Sequence, residues 1–277
     1  MYSIKSIYVI LLQISRGSML IDHAVIPLQE SSSHFLPSQL ESLNFSRIPQ
    51  HIAIIPDGNR RWARKRLSSS NEGHREGADI LMETVKAAKE LGIKAITFYT
   101  FSTENWSRSF DEISALMLLF ASYLSEQCDS MIQNGIKLET IGELDPLPEF
   151  LKDTLKETKK ATCACDQIDL ILAMNYGSRN ELQRAFTRIL DEVEQGNLKK
   201  EEVNETTIAQ YLDTHQWPDP ELLIRTSGEM RISNFLLWQI SYTEIYIAPV
   251  LWPDFTPNHL LEAIVDYQKR ERRWGGV

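Results

Sequence analysis

The stretch that most constrains this chain runs from His51 to Arg66 and reads His-Ile-Ala-Ile-Ile-Pro-Asp-Gly-Asn-Arg-Arg-Trp-Ala-Arg-Lys-Arg. Its apolar run, Ile52 to Ile55, predicts a buried strand, which Pro56 and Gly58 end, leaving Asp57 at the carboxyl end. In an open α/β sheet that is the edge where ligands bind. Five of the seven residues from Arg60 to Arg66 are Arg or Lys, in a chain of formal net charge −9, so cations are concentrated here against an acidic background. Each feature alone has a plain reading, since Asp-Gly makes turns and a basic run can be a solvated helix face. Together they point to an anion site, and one carboxylate among many cations suggests metal-assisted diphosphate binding.

A length of 277 residues with 43% hydrophobic and 24% charged residues suits a globular protein with a real core. One domain is expected, because no Pro/Ser/Gly-rich linker interrupts the chain after residue 50. Cys128, Cys163 and Cys165 make neither a disulfide framework nor a zinc knuckle, which fits a reducing cytoplasm. The acidic total argues against nucleic-acid binding, which needs a broad positive surface.

Near the start, Ile7 to Leu12 is apolar, but Gln13, Ser15 and Arg16 end the run well short of the roughly 20 residues a membrane span needs. Lys5 before this run resembles a signal peptide, yet no small-x-small cleavage site follows. Two readings remain: a weakly membrane-associating tail, or an upstream extension with translation starting at Met19. Residues 28–44 read as a flexible lead-in. The expected division is a flexible extension over 1–48 and a catalytic domain over 49–277.

From residue 51 strand and helix patterns alternate, which predicts an α/β fold with a mostly parallel sheet of about six strands covered by helices. Strands are expected at His51–Ile55, Lys94–Phe101, Ile136–Ile141, Ile168–Met174, Leu222–Arg225 and Glu244–Ile247. Helices are expected from Gly77 to Leu91, from Ser109 through an apolar stretch Ile113–Leu124, from Pro148 to Thr162, from Ser178 to Gln195, near Thr206–Thr214, and after Thr256-Pro257. Ser109 with Glu112, and Ser178 with Glu181, read as capping boxes. Ile113–Leu124 is apolar on all sides, so it must be buried on several, as a core helix or as a wall of an apolar cavity.

If the strands are parallel, four polar loops converge on one edge: Asp57–Arg66, Ser102–Arg108, Asn175–Arg179 and Arg225–Asn234. Arginine forks hold diphosphate oxygens in paired hydrogen bonds, and the Gly58 and Asn59 amides add donors. A carboxylate amid cations and phosphates implies a bridging cation, for which magnesium is the usual choice. No Cys/His cluster supports zinc.

The first string, with Gly73-His74, Thr97-Phe-Tyr-Thr-Phe-Ser-Thr-Glu-Asn-Trp-Ser-Arg108, Asn175-Tyr-Gly, Ile224 to Gln239, Glu244-Ile-Tyr, Leu251-Trp-Pro-Asp-Phe255 and the closing Arg-Arg-Trp-Gly-Gly, resembles the signature blocks of the cis-prenyltransferases. The similarity covers residues 50–277 and is strongest to the undecaprenyl diphosphate synthases. It implies a fold of that type and magnesium-dependent, repeated cis condensation of isopentenyl diphosphate onto an allylic diphosphate such as farnesyl diphosphate. The product would be a long polyprenyl diphosphate, the undecaprenyl carrier of cell-wall synthesis.

Carried over by position, the resemblance makes Asp57 the essential magnesium-binding acid and Asn105 the residue at the proton-removal position. An amide is a poor base, so Asn105 reads as a positioner or relay. Gly58, Asn59, Arg60, Arg61, Trp62 and His74 would cradle the allylic substrate. Ser102, Thr103, Glu104, Trp106 and Arg108 would border the reacting carbons. Arg225, Arg231, Ile232 and Ser233 match the isopentenyl diphosphate pocket, and Glu244 a second metal carboxylate. The resemblance further implies a homodimer whose Arg273 and Gly275 complete the neighbouring subunit's anion pocket, and a cytoplasmic enzyme that delivers product at the inner face of the membrane.

The chain departs from the pattern at four positions. Ser70 stands for an arginine, with Arg64, Lys65 or Arg66 as its replacement. Met230 stands for a histidine beside the metal, and Ser178 and Ser227 stand for glycines. A product without polar handles needs an apolar tunnel, which favours Ile113–Leu124 as a tunnel wall, with Ala78–Ala88 and Ile168–Met174 as neighbours. Two rivals are weighed. A phosphohydrolase using Asp57 as nucleophile wants a second Asp where Asn59 stands, and a noncatalytic partner subunit would not keep Asp57, Asn105, Arg231 and Glu244.

Overall fold

The computed structural model describes residues 33–270. Its sheet contains β1 His51–Ile55, β2 Ala95–Ser102, β3 Ile136–Ile141, β4 Ile168–Tyr176, β5 Leu222–Arg225 and β6 Glu244–Ile247, in the order β3-β4-β2-β1-β5-β6. Every neighbouring pair is parallel. From β1 the chain moves to β2 on one side and later returns to β5 on the other, so the strand order switches direction at β1. The crevice outside the carboxyl ends of β1 and β5 is therefore where such a sheet offers a ligand site.

Eight α-helices are found among the described residues: α1 Pro37–Leu40, α2 Asn59–Lys65, α3 Ser70–Glu90, α4 Phe110–Gln133, α5 Glu149–Thr162, α6 Ser178–Glu194, α7 Glu205–Gln210 and α8 Pro257–Lys269. Side chains alternate across the sheet with period two. Ile52, Ile54, Phe98 and Leu170 enter one core layer, with Met82 and Val85 of α3 and Leu116 of α4. Ala53, Ile55, Ile171 and Ala173 enter the other, with Tyr176 and Phe235. Continuous burial of β1 follows from covering both faces.

Several boundaries differ from expectation. Helix α3 begins well before Gly77, at Ser70, because the Ser69 hydroxyl accepts from the Glu72 amide at 3.2 Å and caps it. The polar, glycine-containing first turns of α3 hid this start; a Cβ on Gly73 would lie 2.4 Å from the Asn59 carbonyl, so packing against α2 requires the glycine. Helix α4 buries Leu116, Met117, Tyr123 and Leu124 but leaves Phe110 and Leu118 exposed, so it is covered on fewer sides than its composition implies.

The capping box at Ser178 does not form. The Ser178 hydroxyl accepts from the Leu237 amide at 2.7 Å, and Glu181 turns into the core against the Tyr176 hydroxyl at 2.6 Å. Burial pushes the Glu181 carboxyl above its ordinary range. Within the expected extension, Phe35, Leu43 and Ile48 join the main core cluster and Glu90 accepts from the His34 amide at 2.9 Å. The rest of the expected extension, with Ile7–Leu12 and Met19, lies outside the described residues. So do Arg273 and Gly275.

Candidate active site

The register that pairs Ile55 with Arg225 brings the loops after β1 and β5 side by side. Gly58, at φ +122°, is where they touch: a Cβ there would lie 2.6 Å from the Ser227 hydroxyl oxygen. The Thr226 and Ser227 hydroxyls both donate to the Asp57 carbonyl at 2.7 Å, so Ser227, itself at φ +74°, clamps the Asp57 turn.

The Asp57 carboxylate accepts from Arg225 at 2.9 Å and lies 3.1 Å from Arg61 and 4.0 Å from Arg231. Arg225 is only 4% exposed and also donates to the Ser233 hydroxyl at 2.9 Å and to the Arg231 carbonyl. A buried guanidinium is tolerable only when paired in this way. Glu229 bridges Arg61, at 2.9 Å, and Arg231. The Arg231 hydrogen bond, then the Arg231 and Arg61 charges, hold its carboxyl below the ordinary range. Sequence reasoning passed over Glu229, although it is the one carboxylate between Arg225 and Arg231.

Beside this network lies a cation-lined hollow of about 700 Å³, counting its open mouth, formed by Asp57, Gly58, Asn59, Arg60, Arg61, Arg64, His74 and Arg108. Burial, then the Arg108 and Arg60 charges, lower the His74 pKa to about 4, so its ring is neutral at pH 7. His74 Nδ1 lies 3.3 Å from the Asn59 amide nitrogen, which leaves the ring proton on Nε2. His74 Nε2, Asn59 Oδ1 and Ser70 Oγ are all buried without a partner. Such orphaned groups call for an explanation, and a ligand that completes them supplies one. Among the cations expected to stand in for an arginine at 70, Arg64 lines the hollow. Arg66 is instead held 3.1 Å from Asp254 and stacked 3.9 Å over Trp62.

An apolar cavity of about 1030 Å³, counting its open mouth, shares Asn59, His74 and Arg108 with the hollow. Leu116, Leu119, Phe120 and Leu124 of α4, Ala78, Leu81 and Met82 of α3, and Leu170, Leu172 and Met174 of β4 form its walls. The three elements expected to enclose a tunnel do line one cavity. Asn105 sits at its polar end, its side-chain oxygen accepting from the Ser102 amide at 3.2 Å.

The remaining predicted residues divide. Arg108 lines both spaces and donates to Glu112 at 3.2 Å. Glu104 accepts from Asn234 at 2.8 Å, and Trp106 donates to Asn175 at 2.8 Å, so both act as ties between loops. Thr103 packs under Gly177. Trp62 points away from the hollow, donating to Asp254 at 2.8 Å, and Ile232 packs on the second core layer. Met230 is almost fully exposed.

Glu244 is not brought to Asp57. It opens β6, at the amino edge of the sheet, and pairs with Arg270 at 2.9 Å. Among the described residues no three acidic, His or Cys groups converge on a metal site. A lone Asp57 facing an anion hollow still fits magnesium, which is commonly held by one or two carboxylates, substrate phosphates and water.

A family model described as "Putative undecaprenyl diphosphate synthase" matches residues 55–275. An isoprenyl transferase of Chlamydia trachomatis serovar D is 48% identical over 82% of this chain and 92% of its own length. One from Clostridium perfringens is 44% identical over 83% and 91%. Two solved structures share the fold. Lavandulyl diphosphate synthase from Lavandula x intermedia, in complex with dimethylallyl diphosphate, has a TM-score of 0.81 at 36% identity, over 83% of this chain and 100% of that one. A probable undecaprenyl diphosphate synthase from Campylobacter jejuni has 0.69 at 31%, over 82% and 99%. With a cation-lined hollow opening into an apolar cavity and these relatives along nearly its whole described length, the chain belongs to the undecaprenyl diphosphate synthase family of isoprenyl transferases.

Proposed function

We propose that the enzyme elongates an allylic diphosphate, farnesyl diphosphate being the expected starter, by repeated cis addition of isopentenyl diphosphate. The product would be a long polyprenyl diphosphate, read as the undecaprenyl carrier of cell-wall synthesis. The observation that carries this reading is the continuity of the cation hollow with the apolar cavity through Asn59, His74 and Arg108. A diphosphate held by Arg60, Arg61, Arg64 and the Gly58 amide would lay its hydrocarbon between α3 and α4. The dimethylallyl diphosphate complex of the Lavandula relative supports an allylic diphosphate as one substrate.

Departure of diphosphate leaves positive charge on an allylic carbon and negative charge on oxygen. Preorganised guanidinium groups stabilise the oxygen charge without reorganising. Magnesium, held by Asp57 and the phosphates, would supply further neutralisation. Neutral His74 donates from Nε2 toward the same oxygens, and Arg225, Arg231 and Ser233 receive the second diphosphate. Asn105 positions the reacting carbons. The enzyme is read as a cytoplasmic homodimer that delivers product at the inner membrane face, with Arg273 and Gly275 reaching the neighbouring site. Incorporation of labelled isopentenyl diphosphate that needs both magnesium and an allylic diphosphate tests the reading; phosphate release from simple monoesters would favour the phosphohydrolase instead.

A further inference from the structure

The cavity has a weak side. Its lining runs from His74 to Met82 along α3, about 12 Å at 1.5 Å per residue, and from Leu116 to Met131 along α4, about 22 Å, and a long chain that gains five carbons per cycle outgrows both. The growing end must then either stop or push apart the elements around it. Strand β4 cannot yield, because it is paired along its length to both β2 and β3. Helices α3 and α4 share no backbone hydrogen bonds, and polar side chains stitch them together on the outer side of the cavity.

Arg75 of α3 donates to Glu126 of α4 at 2.5 Å, and its guanidinium lies 5.5 Å from the centre of the Tyr123 ring. Tyr123 lines the cavity, and the Asp79 carboxylate of α3 lies close enough to its hydroxyl to push its pKa up, second to burial. At the far end, Lys89 of α3 donates to the Asn134 carbonyl and side-chain oxygens at 3.1 Å, just past the end of α4. The Arg75 and Glu126 side chains are each nearly half exposed, at 46% and 47%, so water competes for both and the stitch is weak. Each added five-carbon unit gains by leaving water for an apolar surface. The first units lie within the cavity, and a seam this weak gives way to the later ones that press beyond it.

We propose that the seam formed by Arg75, Glu126, Tyr123 and Asp79 sets product length: while it holds, the growing chain is confined and elongation ends, and once α3 and α4 separate the chain continues through the gap. The proposal rests on the elongation reading above. None of the four residues touches the cation hollow, so the seam acts on length rather than on the chemical step.

The test sizes products from Arg75→Ala, Glu126→Ala and the exchanged pair Arg75→Glu with Glu126→Arg, at saturating farnesyl and isopentenyl diphosphates with magnesium. Weakening the seam is expected to move the main product upward by at least one five-carbon unit, with the Michaelis constant of the allylic substrate unchanged within about twofold. The exchanged pair is expected to return the distribution toward that of the unaltered enzyme. Thermal melts identify any variant that fails to fold, in which case Lys89→Ala at the far end of the seam carries the same expectation. Elongation with an unchanged product distribution in folded variants overturns the seam proposal alone. Absence of any elongation by the unaltered enzyme overturns both it and the reading on which it rests.

Discussion

Arg225 and Asp57 meet at 2.9 Å across the junction of β1 and β5, with the guanidinium almost wholly buried. Each explains the other. The sheet places both at carboxyl ends of adjacent strands, the carboxylate makes the buried cation tolerable, and the cation fixes the orientation of the carboxylate at the edge of the anion hollow.

Removing that carboxylate should therefore separate catalysis from folding. Asp57→Ala is expected to lower turnover by roughly 10²-fold or more, the scale of losing a preorganised group at developing charge. The variant should still fold but melt at a lower temperature, because the buried Arg225 cation loses its carboxylate while keeping its bonds to Ser233 and the Arg231 carbonyl. Steady-state kinetics beside circular-dichroism melts check this; near-normal turnover in a folded variant contradicts the assignment.

Cavity filling gives a second prediction. Ala115 and Ala121 of α4 do not line the cavity, whereas Ala78 of α3 does. Ala78→Leu is expected to shorten the main product by one or more five-carbon units with a modest loss of rate, read by chromatographic sizing. Ala121→Leu serves as the control and should leave product length unchanged.

Loop coupling gives a third. Asn234 accepts from the Arg179 amide at 3.0 Å and donates to Glu104 at 2.8 Å, joining the loops after β2, β4 and β5. Burial raises the Glu104 pKa, but the Asn234 bond and its other hydrogen bonds outweigh this and keep the carboxyl below its ordinary range. Asn234→Ala should raise the Michaelis constant for isopentenyl diphosphate severalfold while that for the allylic substrate changes little, measured by varying each substrate in turn.

Acid sensitivity gives a fourth. Burial lowers both His51 and His74 from 6.5 to about 4. His51 is held neutral between the Pro218 carbonyl at 2.6 Å and the Thr97 hydroxyl at 2.8 Å. Because the folded pKa lies below the unfolded one, the unfolded chain binds more protons between these values. The stability from neutral burial is present above pH 6.5 and is lost as pH falls through the window to about 4. The loss reaches about 3 kcal/mol per histidine. Urea unfolding at about pH 7 and about pH 5 should show it, and His74→Gln should remove its share of the slope.

Much of this was legible because it rests on local pattern. The run Ile52–Ile55 stopped by Pro56 placed Asp57 on the binding edge, and strand patterns alternating with helices required a parallel sheet. What the sequence hid depends on three-dimensional contact. Glu244 lies within a matching block, yet β6 puts it on the opposite edge, against Arg270. Trp62 follows the first two arginines of the basic string, yet α2 turns it toward Asp254. Glu181 looked like a capping residue because spacing alone does not reveal that Tyr176 and Gln239 claim its oxygens.

The most direct measurement is product sizing after incubation of the purified enzyme with farnesyl diphosphate, labelled isopentenyl diphosphate and magnesium. The account predicts a ladder of diphosphates differing by five carbons and ending in a long chain, abolished in Asp57→Ala. Failure of the folded, magnesium-supplied enzyme to incorporate any label, or an undiminished ladder from Asp57→Ala, would contradict it.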